Sequence, residues 1–261
     1  MTLVTENIRF LERGRGEPIV LLHGLFGSPE NWNPILAELS DEFRVLAPQL
    51  PLDRQPARQP HSFQSIHQLT DHVKRFFDSA GIDRATIGGN SLGGQVAIDF
   101  CLRYPERVER LIITGSAGLF ERSLSGGSVP KVTREFVREK ACEVFYDPRY
   151  VTEDLVDEVL EMLMDRTYVR FLIRVAKATR DYNVKGELEK LKLPTLILWG
   201  RDDRITPPIV AEEFKEHLAN ARLVFLDRCG HTPPIEQPEA FSRILRDFLS
   251  NPVPSLSSPS V

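Results

Sequence analysis

Short, nearly continuous apolar runs recur along the chain at residues 18–22, 43–47, 86–89, 108–114, 195–200 and 222–226, and the first eleven residues read as a further strand. Runs of this length, bounded by Gly, Pro or charged residues, predict strands buried on both faces. Between them lie stretches of helical period. Residues 65–80 carry Ile66, Leu69, Val73, Phe76 and Phe77 at helical spacing and close on Gly81. Residues 29–39 follow Ser28 as a cap, 92–104 stop before Pro105, and 208–218 and 238–249 complete the set. Gly14 and Gly16 mark the turn before the second strand. Strand and helix in alternation predict a mostly parallel, doubly wound α/β sheet.

The alternation breaks once. From about residue 115 to 189 there is no strand-like run, and 131–144, 152–165 and 168–179 predict amphipathic helices after a Gly/Ser stretch at 123–128. The expected organisation is a sheet domain of residues 1–117 and 186–250 interrupted by a helical insertion at 118–185. The Pro/Ser-rich residues 251–261 read as a disordered tail.

Composition narrows the function classes. The 261 residues hold 33 Lys and Arg against 37 Asp and Glu, a net charge of −4 that offers no electrostatic footprint for nucleic acid or an anionic membrane. No apolar run approaches the roughly 18 residues of a membrane span, and residues 1–10 lack the basic and apolar regions of a secretory signal. Cys101, Cys142 and Cys229 are odd in number and irregularly spaced, which suits neither a disulfide framework nor a zinc site. A cytoplasmic protein acting on a small molecule is the expectation; the oligomeric state is left open.

Chemistry enters at Gly89-Asn90-Ser91-Leu92-Gly93, between a predicted strand and a predicted helix. A sharp strand-to-helix turn lifts a serine hydroxyl over the strand ends, and the glycines remove Cβ atoms that would collide there. A packing turn rich in glycine is the plain alternative. Serine needs a base, and imidazole serves near neutral pH. Of six histidines, His61, His67, His72 and His217 have nothing distinctive around them. His231, in Cys229-Gly230-His231, follows the strand 222–226, and Asp203 follows the strand 195–200. A carboxylate there can accept from imidazole Nδ1–H and fix its tautomer. Asp202 competes with Asp203 and reads as a turn carboxylate, a partner for Arg201 or Arg204.

From Ile8 to Leu249 the chain resembles α/β-hydrolase fold enzymes with a helical cap, on His23-Gly24-Leu25-Phe26-Gly27, Gly89 to Gly93, Gly200-x-x-Asp203-x-x-x-Pro207 and Gly230-His231. The order Ser91, Asp203, His231 is that of the family. The resemblance implies that the backbone amides of Leu25 and Leu92 form an oxyanion hole, and that His23 is structural. Phe26 and Trp32 would wall the substrate site or belong to the core, with Asn90 beside them. The chain departs from the family at Pro48–Pro56, where many relatives carry Asp-x-x-Gly-x-Gly and this loop has no glycine.

Serine at position 91 argues against dehalogenases and epoxide hydrolases of this fold, which carry aspartate there; hydroxynitrile lyases and cofactor-free peroxidases keep the serine. The resemblance implies a serine hydrolase of small carboxylic esters, with no metal or organic cofactor. One alternative is a carbon–carbon bond hydrolase of ring-cleavage dienoates, which Asn90, Asn31-Trp32 and the Trp199 to Asp203 stretch resemble. Thr232 stands where those enzymes often place tryptophan, and Arg166, Arg170 and Arg174 are candidates for a substrate carboxylate, though a solvated stripe is the expectation. A ligand receptor on a hydrolase scaffold is the alternative from another class.

Overall fold

In the computed structural model, residues 2–5, 8–52, 65–119 and 132–250 are described. Eight strands form one sheet: β1 (Thr2–Thr5), β2 (Ile8–Arg13), β3 (Pro18–Leu22), β4 (Arg44–Pro48), β5 (Ala85–Asn90), β6 (Val108–Thr114), β7 (Thr195–Gly200) and β8 (Ala221–Leu226). Their spatial order is β1-β2-β4-β3-β5-β6-β7-β8. The β1/β2 and β2/β4 pairs are antiparallel and the rest are parallel. The first eleven residues are thus two strands and not one, β1 folding back on β2 with Thr5 opposite Ile8.

Helices cover both faces, which is why β5 and β7 are buried along their whole length. On one face α2 (Ile66–Ser79), α3 (Leu92–Arg103) and α7 (Pro208–His217) pack Phe76, Phe77, Phe100 and Phe214 against Val20, Leu22, Leu111 and Ile113. On the other, α1 (Asn33–Leu39) and the C-terminal helix at Pro238–Ser250 pack Leu36, Leu39, Phe241 and Leu245 against Leu21 and Ile112. The alternation of Val20, Leu21 and Leu22 between the two clusters is the two-residue period of a strand.

Between β6 and β7 the described residues form α4 (Arg134–Val144), α5 (Glu153–Met164) and α6 (Arg166–Asp181), with no strand among them. Their N-caps are the side chains of Thr133, Thr152 and Asp165, each accepting from backbone N–H groups of the first turn. Val137, Val151 and Val156 make a small cluster of their own, whereas Tyr168, Phe171, Leu172 and Val175 of α6 join the core around α2. Tyr168 also donates its hydroxyl to the Leu52 carbonyl (2.9 Å).

Three further details depart from the sequence reading. The helix expected at 29–39 starts as a 3₁₀ turn, Pro29–Trp32, before α1. A 3₁₀ helix at Lys185–Lys190 and the short α8 (Pro233–Glu236), ahead of α9 (Pro238–Ser250), carry no periodic signal long enough to read. The Gly/Ser stretch 123–128, the residues around Asp53, His61 and the tail 251–261 lie outside the described residues. No helix among the described residues is long and apolar enough to cross a membrane.

Candidate active site

Ser91 is the single residue between β5 and α3, and its backbone sits at φ 57° and ψ −122°. A non-glycine residue held there costs on the order of 1–3 kcal/mol and persists only where the surroundings over-determine it. They do so here. Ser91 N–H donates to Thr114 O (3.0 Å), while its carbonyl accepts from the N–H groups of Gly94 (3.0 Å), Gln95 (3.3 Å) and Ala117 (3.2 Å). A Cβ on Gly89 would stand 2.2 Å from the Gly93 carbonyl carbon, and one on Gly93 would stand 2.3 Å from Leu22 O. The glycines of the motif therefore allow α3 to start against β3 and β5.

The loops after the neighbouring strands β7 and β8 deliver the other two groups. His231 Nδ1 lies 2.9 Å from Asp203 Oδ2, and their side chains are 7% and 0% exposed. Asp203 accepts at Oδ1 from the N–H groups of Ile205 (2.8 Å) and Thr206 (2.9 Å), and at Oδ2 from the Thr206 hydroxyl (2.9 Å). These donors hold the buried carboxylate in one orientation against the imidazole. The Asp202 side chain is exposed and Arg201 pairs with Asp227 instead (2.6 Å), so the geometry separates the two aspartates. Thr206, also 3.2 Å from His231 Nδ1, is a residue that the sequence reading missed.

Asn90 connects the elbow to the histidine. Its Nδ2 donates to the carbonyls of Thr114 (3.1 Å) and His231 (2.9 Å). Both amide hydrogens are thus engaged in bracing the site, a role beside the contact with substrate expected of Asn90. Gly115 packs against the imidazole, where a Cβ would meet Nδ1 at 2.9 Å.

Leu92 opens α3, so its N–H belongs to the first turn, where no intrahelical acceptor exists. The turn carrying Leu25 is brought against Ser91, since a Cβ on Gly24 would stand 3.3 Å from Ser91 Cβ. His23 behind it donates from Nδ1 to Gly24 O (2.8 Å) and accepts at Nε2 from Leu50 N–H (3.0 Å). Burial pushes its pKa down to about 4, so this histidine is a neutral brace.

Of the two aromatic candidates, Phe26 is 53% exposed and free to meet a ligand. Trp32 is 1% exposed and packs against Phe241 on the α1/α9 face, which corrects the expectation that it walls a substrate site. An aromatic on an apolar helical stripe carries no local signal that separates core from pocket. Arg166, Arg170 and Arg174 are exposed on the side of α6 opposite Tyr168, Phe171, Leu172 and Val175.

Glu236 is the second residue that the sequence reading missed. Buried at 7% exposure, it accepts from the N–H groups on both sides of His231, those of Gly230 (3.0 Å) and Thr232 (3.2 Å). An acid inside the otherwise apolar stretch Pro233–Glu236 was the available signal. Cys229 is buried beside it, and burial pushes its thiol up, out of the nucleophile's range.

A strained serine with a braced histidine–aspartate pair and backbone N–H groups nearby can carry out nucleophilic attack on a carbonyl. Comparison with known proteins agrees with this class of chemistry. The profile of the alpha/beta hydrolase family matches residues 19–244. A 2-hydroxy-6-oxo-2,4-heptadienoate hydrolase from Pseudomonas putida is 28% identical, covering 91% of this chain and 90% of its own. An alpha/beta hydrolase enzyme from the metagenome of sediments of the lagoon of Mar Chica, Morocco, superposes with a TM-score of 0.77 at 32% identity, over 95% of this chain and 97% of its own. A meta-cleavage product hydrolase from Pseudomonas fluorescens gives a TM-score of 0.80 at 26% identity over the same shares. The chain belongs to the alpha/beta hydrolase family and is a hydrolytic enzyme.

Proposed function

We propose that this enzyme hydrolyses a small carboxylic ester through a Ser91–His231–Asp203 triad. The observation that carries the reading is the buried His231–Asp203 pair, 2.9 Å apart, tied to the elbow by the side chain of Asn90, the residue before Ser91. Ser91 Oγ attacks the carbonyl carbon as His231 takes its proton, and Asp203 holds Nδ1–H and stabilises the imidazolium. The amides of Leu25 and Leu92 receive the oxyanion. His231 then protonates the leaving alcohol, and water, activated by the same imidazole, releases the acid. The imidazole supplies the base and the amides stabilise the oxyanion, so the reaction needs no metal or organic cofactor. Residues 118–185 would act as the cap that shapes the acyl pocket, with Phe26 at its rim.

A second reading, hydrolysis of a carbon–carbon bond in a dienoate, is supported by the names of relatives and neighbours at 26–35% identity. The two readings share Ser91 and differ in the leaving group: an oxygen that departs on protonation, or a carbon that must take up a proton before the bond breaks. The exposed arginines of α6 favour the ester, because a dienoate carboxylate needs a cation or several donors once it leaves water.

A panel of p-nitrophenyl esters of increasing acyl length, run beside a 2-hydroxy-6-oxo-dienoate, tests the choice. The expected result is a kcat/KM higher for a short ester than for the dienoate, and a loss of about 10⁴- to 10⁶-fold in Ser91→Ala. A dienoate turned over faster than every ester would establish the second reading. Ser91→Ala keeping more than a few per cent of activity would remove the nucleophile from both.

A further inference from the structure

His231 hangs on its loop between two parts of the chain distant in sequence. Its carbonyl accepts from Asn90 at the elbow (2.9 Å), and its N–H donates to Val144 O at the end of α4 (2.7 Å). The N–H groups of the residues on either side of it converge on one side chain. Glu236 accepts from Gly230 N–H at both oxygens (3.0 and 3.1 Å), and at Oε1 from Thr232 N–H (3.2 Å) and the Thr232 hydroxyl (3.2 Å). Its Oε2 accepts from Tyr146 N–H (2.8 Å), and its backbone carbonyl accepts from the Tyr150 hydroxyl (3.0 Å). Tyr146 and Tyr150 belong to the segment that follows α4, ahead of α5. Contact there is close enough that a Cβ on Gly230 would stand 2.6 Å from Val144 O and 2.8 Å from Tyr146 N.

A side chain whose two oxygens accept from several backbone N–H groups at once fixes, by the directions of those bonds, the peptides that donate. Of the peptides fixed here, that of Thr232 N–H leaves His231 directly and that of Gly230 N–H lies one peptide before it, while the peptide between them donates its N–H to Val144 O. The donor from Tyr146 means that the same carboxylate also fixes the helical segment against that loop.

We infer that Glu236 is a positioning residue that sets the reach of His231 toward Ser91 by locking the histidine loop to the segment Val144 to Tyr150. The inference rests on the triad reading for its kinetic consequence, not for its geometry. A shift of the loop by a fraction of an ångström misplaces the base in the transition state without altering how the substrate docks. The helical segment thereby becomes part of the catalytic frame: moving it moves the base.

Glu236→Gln keeps the shape but puts an amide NH₂ where one oxygen accepts. In the full chain, kcat per active site, counted by the p-nitrophenol burst, should fall about 10- to 100-fold with KM within threefold. Counting sites separates this from a merely structural role, which would reduce the number of competent molecules and leave each one as fast as the wild type. The low-field proton NMR resonance of His231 Nδ1–H, identified by its loss in His231→Ala, gives a readout independent of turnover. It should move and exchange faster with water in Glu236→Gln. Tyr150→Phe removes only one hydroxyl and supplies a milder variant should Glu236→Gln fold poorly; it should lower kcat per site about two- to fivefold. An unmoved resonance, or an unchanged kcat per site in these variants, overturns the inference. Were the wild-type chain to hydrolyse none of the substrates while Glu236→Gln still displaced the resonance, the triad reading would fail and the positioning of His231 by Glu236 would stand.

Discussion

Two histidine–aspartate pairs in this molecule bring the same atoms together at almost the same distance. Nδ1 to Oδ2 is 2.9 Å for His231 and Asp203 and 3.0 Å for His67 and Asp99. Both carboxylates are inaccessible, but the His231 side chain is 7% exposed and that of His67 is 49% exposed. The settings differ more than the pairs. Asp203 sits at the end of a parallel strand, held by the turn that follows. Asp99 lies in α3, where it accepts from Thr70 of α2 (2.6 Å) and from the hydroxyl of Tyr182 just beyond α6 (2.6 Å). Burial and Asp99 together push the Tyr182 phenol up, which keeps it a donor. Four residues earlier on α3, Gln95 donates to the carbonyls of Thr179 (3.0 Å) and Tyr182 (2.7 Å). The second pair therefore fastens the end of α6 to the sheet unit. The contact geometry of a dyad does not make it catalytic; under the proposed triad, its place relative to Ser91 and to the strand ends does.

The largest effect within the two pairs should come from exchanging the carboxylates. Asp203→Asn is expected to lower kcat/KM for a p-nitrophenyl ester by about 10³- to 10⁴-fold, since the amide no longer favours the required tautomer. Asp99→Asn and Asp202→Asn should stay within threefold. A comparable loss at Asp99 would mean that the two pairs are functionally alike, and a larger loss at Asp202 would shift the triad by one residue.

Stability should rank the pairs the other way for Asp99. Replacing its carboxylate leaves the Thr70 or Tyr182 hydroxyl, or the imidazole, facing an NH₂ group in a buried site, which costs about 2–3 kcal/mol. Urea denaturation would show this as a lower midpoint at unchanged slope. A stability within about 0.5 kcal/mol of wild type would deny that the pair is a fastener.

The difference in legibility between the regions has a physical basis. The elbow is a local feature: its glycines, its serine and the flanking strand and helix lie within a few residues, so their spacing carries the constraint. Asp203 and His231 were legible as residues after strand ends. What holds them was not, because Glu236, Val144 and Tyr146 meet only through tertiary contact across the chain. The Asp99 pair is likewise separated by 32 positions and belongs to no motif. One signal was available, a carboxylate in the apolar run Val96-Ala97-Ile98-Asp99-Phe100-Cys101, since such a group must find partners. Trp32 was ambiguous for the opposite reason, being apolar where either a core or a pocket accepts it.

Histidines whose partners are peptide groups sharpen the comparison further. His72 donates to Gln49 O (3.0 Å), and burial pushes both His23 and His72 down to about 4. Between pH 6.5 and about 4 the unfolded chain binds protons at these two positions that the folded chain does not. Their contribution is complete above pH 6.5 and is lost as the pH falls, by about 2 kcal/mol each between pH 7 and pH 5. Urea midpoints at the two pH values would measure it, and His72→Gln should remove roughly half of the slope. A flat response would mean that both rings take up protons in the folded state.

The smallest expected effect lies on α6, the helix that the Asp99 pair fastens. At 100° per residue, Tyr168, Phe171, Leu172 and Val175 share one side, while Arg166, Arg170 and Arg174 occupy the opposite one. The apolar side is held down by the core around α2, by the Tyr168 hydroxyl on Leu52 and by Tyr182 on Asp99, so rotation of the helix would break all three contacts. Arg170 donates to Thr167, one turn earlier on the same exposed surface (3.3 Å). Long cationic side chains in this position stay hydrated and contribute packing through their stems at most. Alanine at each arginine should therefore leave KM for a neutral ester within about threefold. If a single arginine variant instead raised KM for a dienoate tenfold and left the ester unaffected, the outer side of α6 would be meeting substrate. The Asp99 pair would then be orienting a binding helix, and the contrast between the two pairs would be one of distance from the reacting atoms and not of role.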